Sequence, residues 1–254
     1  MNRVTFTNSR GLNLVGYLYP ASPDTVIIMC HGFASDQHAV RFPTAARSFN
    51  ALGFSAISFD FSGCGESADD LLTLDKQIDD LGSAITYIKS QGYTKLAFFG
   101  HSLGCLIGLK CNAPDFCTMV LLGAATGAMD FTGPEHHTPD QLREIEDKGY
   151  FTIYKDKGYR SEIRVDHQLN LDFAAINQAQ LLKPVTCPVL IIHGNQGATE
   201  LALYQRSITA MNYLSKESRL ATIAGASHGF YKHYDKVLEL VNEWFFKVFK
   251  GLGI

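Results

Sequence analysis

The chain has 254 residues, 46% of them hydrophobic and 19% charged, with a formal net charge of −3. That length and apolar content can bury a substantial core, which excludes intrinsic disorder as the main state. The 22 glycines show no triplet period and the cysteines number only 6, excluding collagen-like and disulfide-scaffold chains, and the small negative charge argues against a general polyanion binder such as a nucleic-acid protein. In chain order, Val4–Thr7 and Leu12–Tyr19 read as a hairpin around Asn8–Gly11. Thr25–Cys30 is a nearly continuous apolar run, as for a strand buried on both faces. Pro43–Leu52 has helical spacing and stops at Gly53, and Phe54–Phe59 is the next strand. Leu74–Gln91 carries Ile78, Leu81, Ile85 and Ile88 on one helical stripe. Lys95–Phe99 is a strand, Leu103–Cys111 a helix and Thr118–Leu122 a strand.

Between Gly127 and Lys183 the sequence turns polar and irregular, and Pro188–Ile192 then resumes the strand pattern. Leu201–Leu214 is helical, Arg219–Ile223 a strand and Lys236–Phe249 a closing amphipathic helix. Strands alternating with helices imply an α/β domain whose mainly parallel sheet is covered by helices on both faces. The irregular stretch of roughly 55 residues is too long for an ordinary connection. It reads as a small cap inserted at 127–183 into a core of 1–126 and 184–254. The first residues, MNRVTFTNSRGLNLVGYLYP, are too polar for a secretory signal, and no stretch of 18 apolar residues occurs. Cys30, Cys64, Cys105, Cys111, Cys117 and Cys187 lack C-x-x-C or zinc-finger spacing and read as reduced thiols. The expectation is a cytoplasmic chain with no membrane contact, while assembly as a homo-oligomer stays open.

The sharpest local signal is Gly100-His101-Ser102-Leu103-Gly104, a G-x-S-x-G between an apolar strand and a helix. Such a turn lifts the serine hydroxyl clear of the sheet. The competing reading makes Ser102 an ordinary helix N-cap. A serine hydroxyl needs a base. His228, after the Arg219–Ile223 strand and before the last helix, belongs on a loop at the sheet edge that carries Ser102. An acyl-transfer intermediate also needs two fixed N–H donors for its oxyanion. Leu103 follows the serine, and Phe33 stands in His31-Gly32-Phe33 after the Thr25–Cys30 strand.

Cys30–Ser67, the Gly100–Gly104 motif, Pro188–Gly194 (PVLIIHG) and Gly225–Phe230 (GASHGF) run in an order that resembles the α/β-hydrolase superfamily. Within it the chain resembles bacterial feruloyl/cinnamoyl esterases and serine aminopeptidase-like acyl esterases. The resemblance implies the α/β-hydrolase fold, a nucleophile at Ser102 with His228 as base, an oxyanion hole at Phe33 and Leu103, no cofactor or metal, and a small-molecule acyl substrate. The superfamily's serine-then-histidine order is kept.

One departure matters. The pattern resembles H-G-x-x-D, but the position expected to carry the acid is Gly197. Three explanations stay open. Glu200 or Asp130 substitutes; a serine–histidine dyad operates; or the chain is a weakened or non-catalytic relative that binds a ligand or partner. The same residues would also serve an amidase or peptidase. Other features have plain readings beside sharper ones. Asp60 reads as a strand-end residue bonding local N–H groups, and Gly63 and Gly65 have the wrong spacing for a phosphate loop. Cys64 and Cys105 read as packed hydrophobes, and Glu135, His136 and His137 as a solvated loop lacking a further metal ligand. Tyr150, Tyr154 and Tyr159 either line a pocket or pack the lid.

Overall fold

The computed structural model describes residues 1–38 and 41–251. In chain order the elements are β1 (Asn2–Thr7), β2 (Asn13–Tyr19), β3 (Thr25–Cys30), α1 (Arg41–Ala51), β4 (Ser55–Phe59), α2 (Leu74–Ser90), β5 (Lys95–His101), α3 (Leu103–Cys111) and β6 (Phe116–Leu122). There follow α4 (Pro139–Lys148), β7 (Tyr150–Tyr154), β8 (Glu162–Asp166), α5 (Gln168–Ala174), α6 (Gln178–Leu182), β9 (Val189–Gln196), α7 (Ala198–Ala210), β10 (Arg219–Ser227) and α8 (Tyr234–Gly251). Eight strands form one sheet in the order β1-β2-β4-β3-β5-β6-β9-β10. Only the β1–β2 and β2–β4 pairings are antiparallel; from β4 across to β10 every neighbour is parallel.

The continuous apolar runs make sense on this sheet, because side chains alternate between two separately packed faces. In β3, Val26, Ile28 and Cys30 pack with Leu81, Ile85 and Leu106 of α2 and α3. Ile27 and Met29 pack instead with Phe42 and Phe49 of α1 and Phe245 and Phe249 of α8. Each fully buried Ile or Leu in such a strand contributes roughly 1.5–3 kcal/mol of hydrophobic stabilisation. Parallel pairing also brings the C-terminal ends of β3, β5, β6, β9 and β10 to one edge, and the loops that leave that edge carry the residues discussed below.

The segment between β6 and β9 differs from the irregular stretch expected. Thr138 and Gln141 form a reciprocal capping box with Pro139 at the first helical position, starting α4, and Gly149 ends it in the left-handed region. A hairpin follows, with Tyr150 opposite Asp166 and Tyr154 opposite Glu162. The alternation that specifies it, Phe151 with Ile163 and Val165 buried, is masked in the sequence by the charged tip KDKGYRS. These side chains, with Leu169 and Phe173, join the same apolar cluster as α2 and α3. Elsewhere the strand ends run longer than the sequence pattern suggested: β9 continues to Gln196 and β10 to Ser227, where polar loop residues still pair across the register Ser227–Gln196.

Candidate active site

Ser102 stands between β5 and α3 with φ 54° and ψ −120°, a strained conformation for a residue with a side chain. Ser102 is the N-cap residue of α3 by position, but its side chain makes no capping hydrogen bond to the helix, which leaves the hydroxyl free for other partners. The strain is held by close packing on both sides. The Ser102 N–H donates to the Leu122 carbonyl of β6 at 2.9 Å. A Cβ at Gly104 would lie 2.3 Å from the Cys30 carbonyl oxygen, so only glycine lets α3 start this close to β3.

His228, after β10, meets the serine directly. Its Nε2 accepts from the Ser102 hydroxyl at 2.9 Å, and its Nδ1 donates to Glu200 Oε2 at 2.6 Å. Glu200 is 1% exposed, on the first turn of α7, whose N-cap is Gly197 at φ 91°. Helical side chains lean toward the N-terminus, so a glutamate three positions beyond the cap folds back over the loop. A Cβ at Gly197 would meet nothing within 4 Å, and the loop position itself faces open space. The carboxylate beside His228 is therefore Glu200. Asp130 is exposed and accepts instead from the N–H and hydroxyl of Thr132.

Glu200 has a second imidazole partner. Its Oε1 accepts from His193 Nδ1 at 2.9 Å and from the Gly194 N–H at 2.8 Å. His193 Nε2 in turn accepts from the Ser207 hydroxyl at 2.9 Å. Burial pushes the Glu200 carboxyl up, but the hydrogen bonds from His193, His228 and Gly194 outweigh it and hold it at about 2. His101, inside the G-x-S-x-G, donates from Nε2 to the carbonyl of His228 at 3.1 Å. Its burial, with the charges of Arg41 and His228 nearby, pulls the imidazole down to about 3, so it stays neutral. The roles of His193 and His101 escaped the sequence reading, because a strand-end histidine reveals nothing of its partners.

Phe33 and Leu103 both border the cavity beside Ser102. Among the described residues, neither backbone N–H has a protein acceptor. A Cβ on Gly32 would sit 3.1 Å from Ser102 Cβ, which shows how closely the loop after β3 approaches the serine. His31 steadies that loop: Nδ1 donates to the Gly32 carbonyl and Nε2 accepts from the Phe61 N–H. Asp60 accepts from the Gln37 and Glu66 N–H groups, a local structural task.

The cavity measures about 610 Å³. Ser102 and His228 line it together with Met129, Phe131, Phe151, Leu169 and Phe173 from the segment between β6 and β9. Tyr150, Tyr154 and Tyr159 are not among its lining; Tyr154 and Tyr159 are exposed, and Tyr159 stacks on His38. His137 borders the cavity with Nε2 accepting from Asn170. Among the described residues no group of three or more His, Cys, Asp or Glu is placed to hold a metal ion. Cys64 and Cys105 are fully buried, which pushes their thiols up.

The sequence and the fold both match known proteins. Residues 21–138 match the family described as serine aminopeptidase, S33. The structure superposes on an α/β hydrolase, GrgF from Penicillium sp. sh18, with a TM-score of 0.81 at 18% identity, covering 100% of this chain and 99% of that one. The chain has the α/β-hydrolase fold. The hydrolase fold also matches Est1E from Butyrivibrio proteoclasticus bound to ferulic acid, with a TM-score of 0.77 at 21% identity over 97% of this chain and 99% of that one. In sequence, the chain is 28% identical over 218 residues to the mouse (Mus musculus) protein named palmitoyl-protein thioesterase ABHD10, mitochondrial, spanning 81% of this chain and 69% of that protein. Among the described residues no helix is long and apolar enough to cross a membrane.

Proposed function

We propose that this chain is a serine hydrolase that cleaves a small to medium carboxylic ester or thioester through an acyl-enzyme on Ser102. The observation that carries the reading is the connected line Ser102–His228–Glu200, with hydrogen bonds of 2.9 and 2.6 Å, opening on an apolar-walled cavity. Ser102 Oγ attacks the acyl carbonyl carbon while His228 Nε2 takes its proton. Glu200 holds the Nδ1–H tautomer and stabilises the imidazolium that forms. The carbonyl oxygen, now an oxyanion, sits against the N–H groups of Phe33 and Leu103. Collapse breaks the bond to the alcohol or thiol, which leaves with the proton from Nε2. Water then repeats the sequence on the acyl-serine, releasing the carboxylic acid and restoring Ser102.

The thioesterase name of one relative agrees with acyl chemistry. A non-catalytic binding role drew its motive from Gly197, and that motive weakens with Glu200 on His228. A fluorophosphonate probe tests the reading: the folded protein is expected to form an adduct that Ser102→Ala abolishes, and to turn over short acyl esters or thioesters. Matched ester and amide substrates separate esterase from amidase action. No adduct on folded protein, with the ester and thioester panel untouched, overturns the proposal.

A further inference from the structure

One charged group on the cavity wall has no task in the chemistry above. Arg41, the first residue of α1, borders the cavity with Ser102 and His228. Its Nη1 donates to the carbonyl of Gly229, the residue after His228, at 2.7 Å. Its guanidinium lies 5.0 Å from the centroid of the Tyr231 ring, which also borders the cavity. Among the described residues its Nε, out of solvent, has no hydrogen-bond partner, and no carboxylate lies within 4 Å of the guanidinium. The nearby carboxylate Glu200 is already committed to His193 and His228. A half-buried cation without a counter-charge is costly unless an anion compensates it. A guanidinium held in place by a carbonyl and an aromatic face is pre-organised to take the two oxygens of a carboxylate or phosphate.

Its position shows which part of a substrate it would meet. Resting on the hydrolase reading, the leaving group must stand at His228 Nε2 to receive its proton, and Arg41 grips the very next residue. The acyl part has the apolar wall of Met129, Phe131, Phe151 and Phe173 available to it. We propose that Arg41 forms an anion subsite for the leaving group, so that the preferred substrate is an ester or thioester whose alcohol or thiol carries a carboxylate or phosphate.

The test uses one short acyl group on three phenols: 4-hydroxybenzoate, 4-hydroxyphenyl phosphate and neutral 4-hydroxybenzamide. Each kcat/KM is divided by the rate of hydroxide-catalysed hydrolysis of the same ester. The wild-type protein is expected to favour the anionic leaving groups by about tenfold, as for one partly screened charge pair. The larger of the two anionic preferences identifies carboxylate or phosphate as the better fit. Arg41→Met is expected to bring the anionic-to-neutral ratio near one, Arg41→Lys to keep part of it, and added salt to erode it. The ratio is the readout because loosening Gly229 would slow all three esters alike. Should Arg41→Met fail to fold, competitive inhibition of the wild type by 4-hydroxybenzoate, but not by 4-hydroxybenzamide, carries the same information. Turnover without charge preference, or a preference that survives Arg41→Met, overturns this inference alone. No turnover of any ester together with no Ser102 adduct overturns the hydrolase reading and this inference with it.

Discussion

Glu200→Gln is the most informative single change, because the side chain keeps its length and loses its charge. The Glu200 carboxyl is held from 4.5 down to about 2. At about 1.36 kcal/mol per unit, that is a net of about 3 kcal/mol in favour of the carboxylate, left after the burial cost is set against the bonds from its partners. His228 takes one share of it through the 2.6 Å bond and His193 the other. Losing even the His228 share removes stabilisation of the imidazolium, and a glutamine NH2 turned toward Nδ1 would also favour the wrong tautomer. The expected fall in kcat/KM on a short acyl ester is between about a hundredfold and ten-thousandfold, the upper figure being the usual effect of a mis-set tautomer. Stability gives an independent reading. A carboxyl with a depressed pKa stabilises the fold above its unfolded value, and that contribution fades as pH falls through the folded value. The wild type should therefore exceed Glu200→Gln in stability at neutral pH, with the gap closing from about pH 4.5 toward pH 2. Urea titrations across that range measure it. A folded Glu200→Gln protein with kcat/KM within about threefold of wild type would refute the assignment of the acid.

Other consequences are equally concrete. A Cβ on Gly123 would sit 3.0 Å from both Nδ1 and Cε1 of His228, at a φ of +61°; Gly123→Ala should displace the imidazole and lower kcat about tenfold or more, with a stability cost of about 1 kcal/mol from the backbone. His101 binds protons more weakly folded, at about 3, than unfolded, at 6.5. Stability should therefore fall as pH drops from 6.5 toward 3, by roughly 4–5 kcal/mol at the limit, and His101→Gln should flatten that part of the curve in denaturation experiments.

Much of the site was legible because its logic is local. The strand–turn–helix around Gly100–Gly104 put Ser102 at an elbow, and the order of strands put Phe33, Leu103 and His228 at one sheet edge. The segment between β6 and β9 was less legible. Its capping box at Thr138–Gln141 is a local sequence signal, but the β7–β8 hairpin hides its alternation behind a charged tip. Of the two readings left open for Tyr150, Tyr154 and Tyr159, lining the pocket is not met, and Phe131, Phe151 and Phe173 line it instead.

By itself the sequence determined the parallel α/β architecture, because strands buried on two faces must be apolar throughout and that pattern needs no partner to be seen. It also determined which serine and which histidine would share an edge. It could not choose among Glu200, Asp130 and no acid at all, since a hydrogen bond of 2.6 Å depends on how α7 docks beside β9 and β10. Nor could it show that His193 shares the same carboxylate, or that Arg41 stands beside His228 without a counter-charge. Those are distances between segments far apart in the chain, and only packing of the sheet and its helices sets them.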